Sequence, residues 1–226
     1  MKMRVVEINQ SILNKNDNLA AGLRDRFGRS GTFVLNLLSS PGSGKTTLLE
    51  ETLRRLGTRQ RVAALVGDQA TDYDAERLRR SGAPVRQITT GAECRLDADM
   101  IGKALAGMDL EAIDVLCIEN VGNLICPAEY DLGETLRAVL FSVTEGEDKP
   151  LKYPLAFNTS QVALITKIDI AEAVGFQRDA AHANIRAVHS AMPILEVSAK
   201  TGTGFDAWLA FLEERIREAR AAALPV

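Results

Sequence analysis

The run Ser39-Ser40-Pro41-Gly42-Ser43-Gly44-Lys45-Thr46 puts two glycines, a lysine and a hydroxyl residue between an apolar stretch and a helical pattern. The spacing nearly fits G-x-x-x-x-G-K-S/T, in which backbone N–H groups cradle phosphates, the lysine meets the outer phosphates and the hydroxyl ligates Mg²⁺. Gly42 and Gly44 let N–H groups turn inward, and the start of the following helix adds partial positive charge. Gly42, Ser43, Gly44, Lys45, Thr46 and Thr47 are therefore the expected phosphate-binding residues. Ser39 occupies the first glycine position, which a serine fills provided its φ stays negative.

A second set of residues bears on the base. Thr166-Lys167-Ile168-Asp169 closes another apolar run. A carboxylate there can accept from the N1–H and 2-amino groups of guanine; adenine has neither donor and would leave it unpaired. The Lys167 stem can lie over the base, and Ser198-Ala199-Lys200, after a further strand-like run, offers a backbone N–H to the guanine O6. The order of the three motifs resembles the GTPase superfamily, with Thr166 where asparagine is more frequent, and GTP is favoured over ATP.

Two acidic stretches, Gly67-Asp68-Gln69-Ala70-Thr71-Asp72 and Glu119-Asn120-Val121-Gly122, follow strand-like runs where carboxylates can reach Mg²⁺ and the attacking water. Thr46, Asp68 and Glu119 are the expected Mg²⁺ shell; Lys45, Asp68, Asp72 and Glu119 are the expected hydrolytic set. Asp72 has an alternative reading as a helix N-cap. Neither stretch contains the DxxG of Ras-like switches, and the Glu-Asn-Val-Gly form resembles the branch whose members dimerise around nucleotide.

Positioning these groups takes alternating strands and helices. Apolar runs at residues 32–38, 62–66, 85–88, 114–118, 136–143, 162–166 and 194–197 read as strands. Helical patterns cover residues 8–29, 45–56, 72–81, 96–106, 180–190 and 204–221, and residues 145–154, with two prolines and five charges, read as an irregular loop. The alternation predicts an α/β fold, a P-loop NTPase with a mainly parallel sheet of about seven strands and helices on both faces. Residues 1–226 are expected to form a single domain with an N-terminal helical extension over about residues 1–30.

Composition narrows the classes further. The 226 residues carry 27 basic and 30 acidic side chains, so no global charge draws the chain to nucleic acid or an anionic membrane. No apolar stretch approaches the roughly 20 residues of a spanning helix, and the start lacks a signal-peptide core. A cytoplasmic protein is expected. Three cysteines, Cys94, Cys117 and Cys126, are then reduced thiols, either packed as small hydrophobes or used as metal ligands.

Taken together, the chain resembles the hydrogenase nickel-incorporation GTPases, metallochaperones of the HypB type. The likeness runs from Val5 to Arg220 and rests on SSPGSGKTT (39–47), GDQATDYDAER (67–77), GAECRLDA (91–98), ENVGNLICP (119–127) and SVTEGEDKPLKY (142–153). The resemblance implies slow GTP hydrolysis, a homodimer promoted by GTP, and delivery of nickel to the immature large subunit of a nickel–iron hydrogenase. It also implies a small zinc-containing partner of the HypA type, for whose docking Val5, Val6 and Ile8 are candidates. Members usually carry Cys-His where this chain has Cys94-Arg95, and a guanidinium donates no lone pair to a metal. Cys94 and Cys126, paired with their copies across a dimer, would supply four thiolates for Ni²⁺ or Zn²⁺, with Asp97 or Asp99 as added oxygen ligands. Cys117 falls within a strand and reads as core, and Lys149 and Lys152 are candidates for touching the partner subunit's nucleotide. Alternative readings are a GTP-dependent dimerising docking factor without metal transfer, a related nickel- or cobalamin-enzyme chaperone, and a small-molecule kinase.

Overall fold

The computed structural model describes residues 2–223, with side chains for residues 10–222. Its centre is a seven-stranded, fully parallel sheet in the order β3-β2-β4-β1-β5-β6-β7. The strands are β1 (Phe33–Ser39), β2 (Val62–Asp68), β3 (Val85–Thr89), β4 (Val115–Glu119), β5 (Leu136–Ser142), β6 (Val162–Thr166) and β7 (Ile194–Val197). Central strands read as continuous apolar runs because both faces are covered, and every residue of β1, β4, β5 and β6 is buried.

On one face, Phe33, Leu35 and Leu37 of β1 pack against α2 (Lys45–Leu56), α3 (Tyr73–Arg79) and α9 (Phe205–Ala223). Trp208 of α9 is fully buried there, and its indole N–H donates to the Thr52 hydroxyl of α2 at 3.0 Å. On the other face, α1 (Lys2–Ser30) and α4 (Ala98–Ala104) cover Val34, Leu65 and Leu116, while α7 (Pro154–Asn158) and α8 (Arg178–Val188) cover Val139, Phe141 and Ile165. Each large side chain buried in these layers contributes about 1.5–3 kcal/mol. Among the described residues, no helix is long and apolar enough to cross a membrane.

The expected α/β architecture is observed, with three local corrections. The first helix begins at Lys2 rather than residue 8. The side chains of Val5, Val6 and Ile8 lie outside the described residues. Residues 145–154 are not irregular: they hold α6 (Lys149–Lys152) and the start of α7. Pro150 and Pro154 stand in the first turns of those helices, where a missing N–H costs nothing, so the prolines start helices instead of excluding them. A further short helix, α5 (Cys126–Glu129), likewise has proline in its first turn.

Strand order reverses at β1, with β4 on one side and β5 on the other. In an open parallel sheet the crevice beyond the C-terminal strand ends at such a reversal is the natural ligand site. The phosphate-loop residues and both acidic stretches sit there.

Candidate functional site

Between β1 and α2 the backbone turns through Gly42 (φ 75°) and Gly44 (φ 89°), a conformation that side chains disfavour. Ser39 is not among the residues with positive φ, which is why serine serves at the first glycine position. The loop rims a cavity of about 560 Å³, whose far wall includes Asp68, Asp74, Arg77 and Gly122. Gly122 is held close: a Cβ there would meet the Pro41 backbone at 3.1 and 3.2 Å. Gly122→Ala is expected to push the loop out of shape and weaken GDP binding about tenfold, at roughly 1.4 kcal/mol per decade, as read by calorimetric titration.

Glu119, 1% exposed, ends β4 against the start of α2. Its Oε1 accepts from Lys45 Nζ at 3.0 Å and from the Thr46 hydroxyl at 2.6 Å. Its Oε2 is buried without a hydrogen-bond partner. An orphaned anionic oxygen beside a Thr hydroxyl fits a hydrated divalent cation, and replacing that oxygen's missing partner would offset its desolvation. Asp68, at the end of β2, accepts through Oδ1 from the Ala70 and Thr71 N–H groups at 2.9 and 2.7 Å. Burial opposes its ionisation, but those bonds, the Thr71 hydroxyl and the Lys45 charge outweigh it and hold the carboxyl below its ordinary range.

Asp72 does not line this cavity. It stands exposed at the N-cap position of α3, and its side chain makes no cap hydrogen bond. Asp74 and Arg77, which the sequence reading passed over, lie on the helix face turned to the phosphate loop, and Arg77 donates to the Thr47 hydroxyl at 2.9 Å.

A neighbouring cavity of about 290 Å³ is lined by Lys167, Asp169, Ser198, Ala199 and Lys200, together with Gly44 and Thr47. Asp169 Oδ1 accepts from the Ser198 hydroxyl at 2.7 Å. Lys167 is the one non-glycine with positive φ among the described residues (φ 60°), and its Nζ donates to the Gly42 carbonyl at 2.7 Å. Thr166, 4% exposed, donates to the Ser43 carbonyl at 2.6 Å, tying β6 to the phosphate loop. Thr166→Val removes that donor while keeping the shape, and leaves a buried carbonyl short of a partner. It is expected to destabilise the fold by about 1–3 kcal/mol in urea unfolding, with Thr166→Asn milder because its amide can also donate.

The thiols Cys94 and Cys126 are brought close enough to interact, and that interaction, then burial, pushes the Cys94 pKa up. Cys117 is fully buried in β4, where desolvation pushes the thiol up to about 12. Among the described residues no group of three or more His, Cys, Asp or Glu side chains is placed to hold a metal. Asp97 and Asp99 are engaged elsewhere, Asp97 accepting from the Met100 N–H at 2.9 Å as the cap of α4 and Asp99 pairing with Lys103 at 2.6 Å. Arg95 lies over the Tyr130 ring, 3.8 Å from its centroid, and pairs with Glu93. Lys149 pairs with Glu145 at 3.1 Å, and Glu145 in turn accepts from the Ser43 hydroxyl at 2.6 Å. Lys152 pairs with Asp148 at the surface at 2.6 Å.

Residues 33–196 match the family described as CobW/HypB/UreG, nucleotide-binding domain. Hydrogenase maturation factor HypB of Azotobacter vinelandii is 49% identical over 212 residues, which are 94% of this chain and 70% of that protein. A probable hydrogenase maturation factor HypB of Methanocaldococcus jannaschii is 38% identical, over 96% of this chain and 98% of its own. The crystal structure of HypB from Helicobacter pylori in complex with nickel superposes with a TM-score of 0.86 at 41% identity, covering 90% of this chain and 96% of that one.

Proposed function

The chain belongs to the CobW/HypB/UreG family and, within it, to the HypB hydrogenase maturation factors, and from that premise we propose that it is a GTP-hydrolysing metallochaperone that carries nickel. The observation that carries the reading is the joint placement of a phosphate loop, an adjoining cavity lined by Asp169 and a thiol pair on one end of one sheet. The Helicobacter pylori relative, crystallised with nickel, supports nickel as the cargo.

In this reading Lys45 and Thr46 exchange Glu119 for the phosphates and Mg²⁺ when nucleotide enters. Mg²⁺, when bound, neutralises charge developing on the phosphates. Glu119 and Asp68 then hold solvent water in place, and Arg77 and Asp74 close the wall of the cavity. No covalent step is required of the chain, because phosphoryl transfer is driven by positioning and electrostatics. The two thiols of one chain fall short of a closed set of four; a second copy would complete it, which supports a dimer with the metal at its interface. Release of the Lys149–Glu145 pair would free a lysine beside the phosphate loop for the partner subunit's nucleotide. A small zinc-containing partner and the immature hydrogenase large subunit are the expected donor and recipient of the nickel.

The test is release of phosphate from GTP and from ATP with Mg²⁺, with mass in solution followed alongside. Slow phosphate release from GTP alone, with a monomer-to-dimer shift under a non-hydrolysable GTP analogue, is expected. Phosphate transfer to an acceptor other than water would move the protein to the kinases and sink the reading.

A further inference from the structure

The two thiols belong to separate segments outside the strands, and the second is bridged to the end of β1 at Ser39–Asn123. Cys94 lies in the bend between β3 and α4, and Cys126 opens α5 in the stretch after β4. Leu96 and Leu124 anchor the two segments in the core, and side chains that cross between the segments add to what sets the thiol separation. Three asparagines do this. Asn123 donates through Nδ2 to the Cys94 carbonyl at 3.3 Å, and Asn120 Oδ1 accepts from the Leu96 N–H at 3.1 Å. The third comes from outside both segments, from the middle of α1. Asn16, 5% exposed, accepts through Oδ1 from the Ala98 N–H at 2.9 Å and donates through Nδ2 to the Asp131 carbonyl at 2.9 Å.

Ala98 follows Cys94 by four residues and Asp131 follows Cys126 by five, so one buried amide staples the far ends of both thiol segments. The turn at Asp131 is pressed onto the same helix: Gly133 (φ 76°) passes so close to α1 that a Cβ there would lie 2.7 Å from the Ala20 carbonyl. Asparagine suits the position because only a primary amide of that length offers a donor and an acceptor to two backbone groups at once.

We propose that Asn16 is a positioning residue for the thiol pair: through it, α1 sets the distance between Cys94 and Cys126 and so the bite of the metal site. The proposal rests on the reading of those thiols as metal ligands, yet its test needs no metal, so the two can fail separately. It also gives the N-terminal helix a task that its packing alone does not require, since Ala20, Leu23 and Phe27 already anchor it to the sheet.

Phenylarsine oxide measures the bite directly. It condenses with two neighbouring thiols to a cyclic dithioarsinite, forming two As–S bonds and losing one water, with arsenic remaining As(III). The reduced protein is expected to bind one arsenic per chain, in competition with a monothiol. Asn16→Leu, or Asn16→Ala should leucine not fold, is expected to weaken that adduct about tenfold, the scale of buried hydrogen bonds lost. The thermal midpoint of the same variant is expected to fall, because the Ala98 N–H and the Asp131 carbonyl lose a buried partner, while its GDP affinity stays near wild type. Arg24→Ala, which removes the exposed ion pair to Asp131 (2.6 Å) but leaves both Asn16 bonds, is expected to bind arsenic as wild type does. An unchanged adduct in a folded Asn16 variant overturns the proposal. So does an equal loss in Arg24→Ala, or a fall in GDP affinity that matches the fall in arsenic binding.

Discussion

Asp169→Asn is expected to lower GTP affinity by about a thousandfold, the loss of two hydrogen bonds to a charged group at about 1.5–3 kcal/mol each. The carboxylate belongs to the lining of the cavity of about 290 Å³, and the Ser198 hydroxyl bonds one of its oxygens at 2.7 Å. An amide in its place still accepts from Ser198, so the fold should survive. Towards the base it turns an acceptor into an NH₂ donor, which opposes the 2-amino group of guanine but matches the 2-oxo group of xanthine. The variant should therefore recover tight binding with xanthosine triphosphate, while ATP stays poor for both proteins. Titration with the three nucleotides decides the matter. Equal GTP affinity in variant and wild type would remove Asp169 from the base site, and equal binding of ATP and GTP by the wild type would remove the guanine reading altogether.

That prediction draws on a part of the molecule that was plain in the sequence. The phosphate loop could be placed because a glycine-rich turn between an apolar strand and a helix has few other uses, and α2, β6 and β7 have the bounds that hydropathy alone implies. Thr166 was recognisable as a stand-in for asparagine because both offer a short side-chain donor, and its bond to the Ser43 carbonyl is the contact such a donor makes.

What was hidden depended on angles around helices and on contacts across the chain. The stretch 67–77 offers Asp72 and Asp74 two residues apart, and only the phase of α3 decides which faces the phosphates. A helical wheel would have put Asp74 and Arg77 on a common face, three residues apart, and was the signal available. Residues 145–154 read as a loop in sequence because proline breaks a helix interior but suits its first turn, and the two cases look alike until the turn is located. The role of Asn16 left no trace at all, since its partners are backbone groups 82 and 115 residues away.

The proximity of Cys94 and Cys126, by contrast, is a tertiary fact with a large expected consequence. Cys94→Ala and Cys126→Ala should each weaken Ni²⁺ or Zn²⁺ binding by more than about 100-fold, since even outer-shell partners of a metal cost about 10–100-fold when removed. Cys117→Ala should bind metal as wild type does, because that thiol is sealed inside β4 and stays protonated. Direction with pH follows from the Cys94 thiol, whose pKa is raised by its contact with Cys126 and by burial. At neutral pH this group is a protonated thiol, so a metal must displace its proton, and affinity should climb as pH rises towards that raised pKa. Arg95, stacked on Tyr130 3.8 Å from the ring centroid, supplies no ligand to compensate for a lost thiolate. Titrating the reduced protein without nucleotide, with GDP and with a non-hydrolysable GTP analogue, while following mass in solution, separates the two halves of the function. One metal per two chains, bound in the dimer and lost in both variants, is the expected result. Dimerisation that follows GTP while no state binds metal through these cysteines would leave a nucleotide-driven docking protein, because a tetrahedral thiolate set needs the second copy and the second copy would then be present without it.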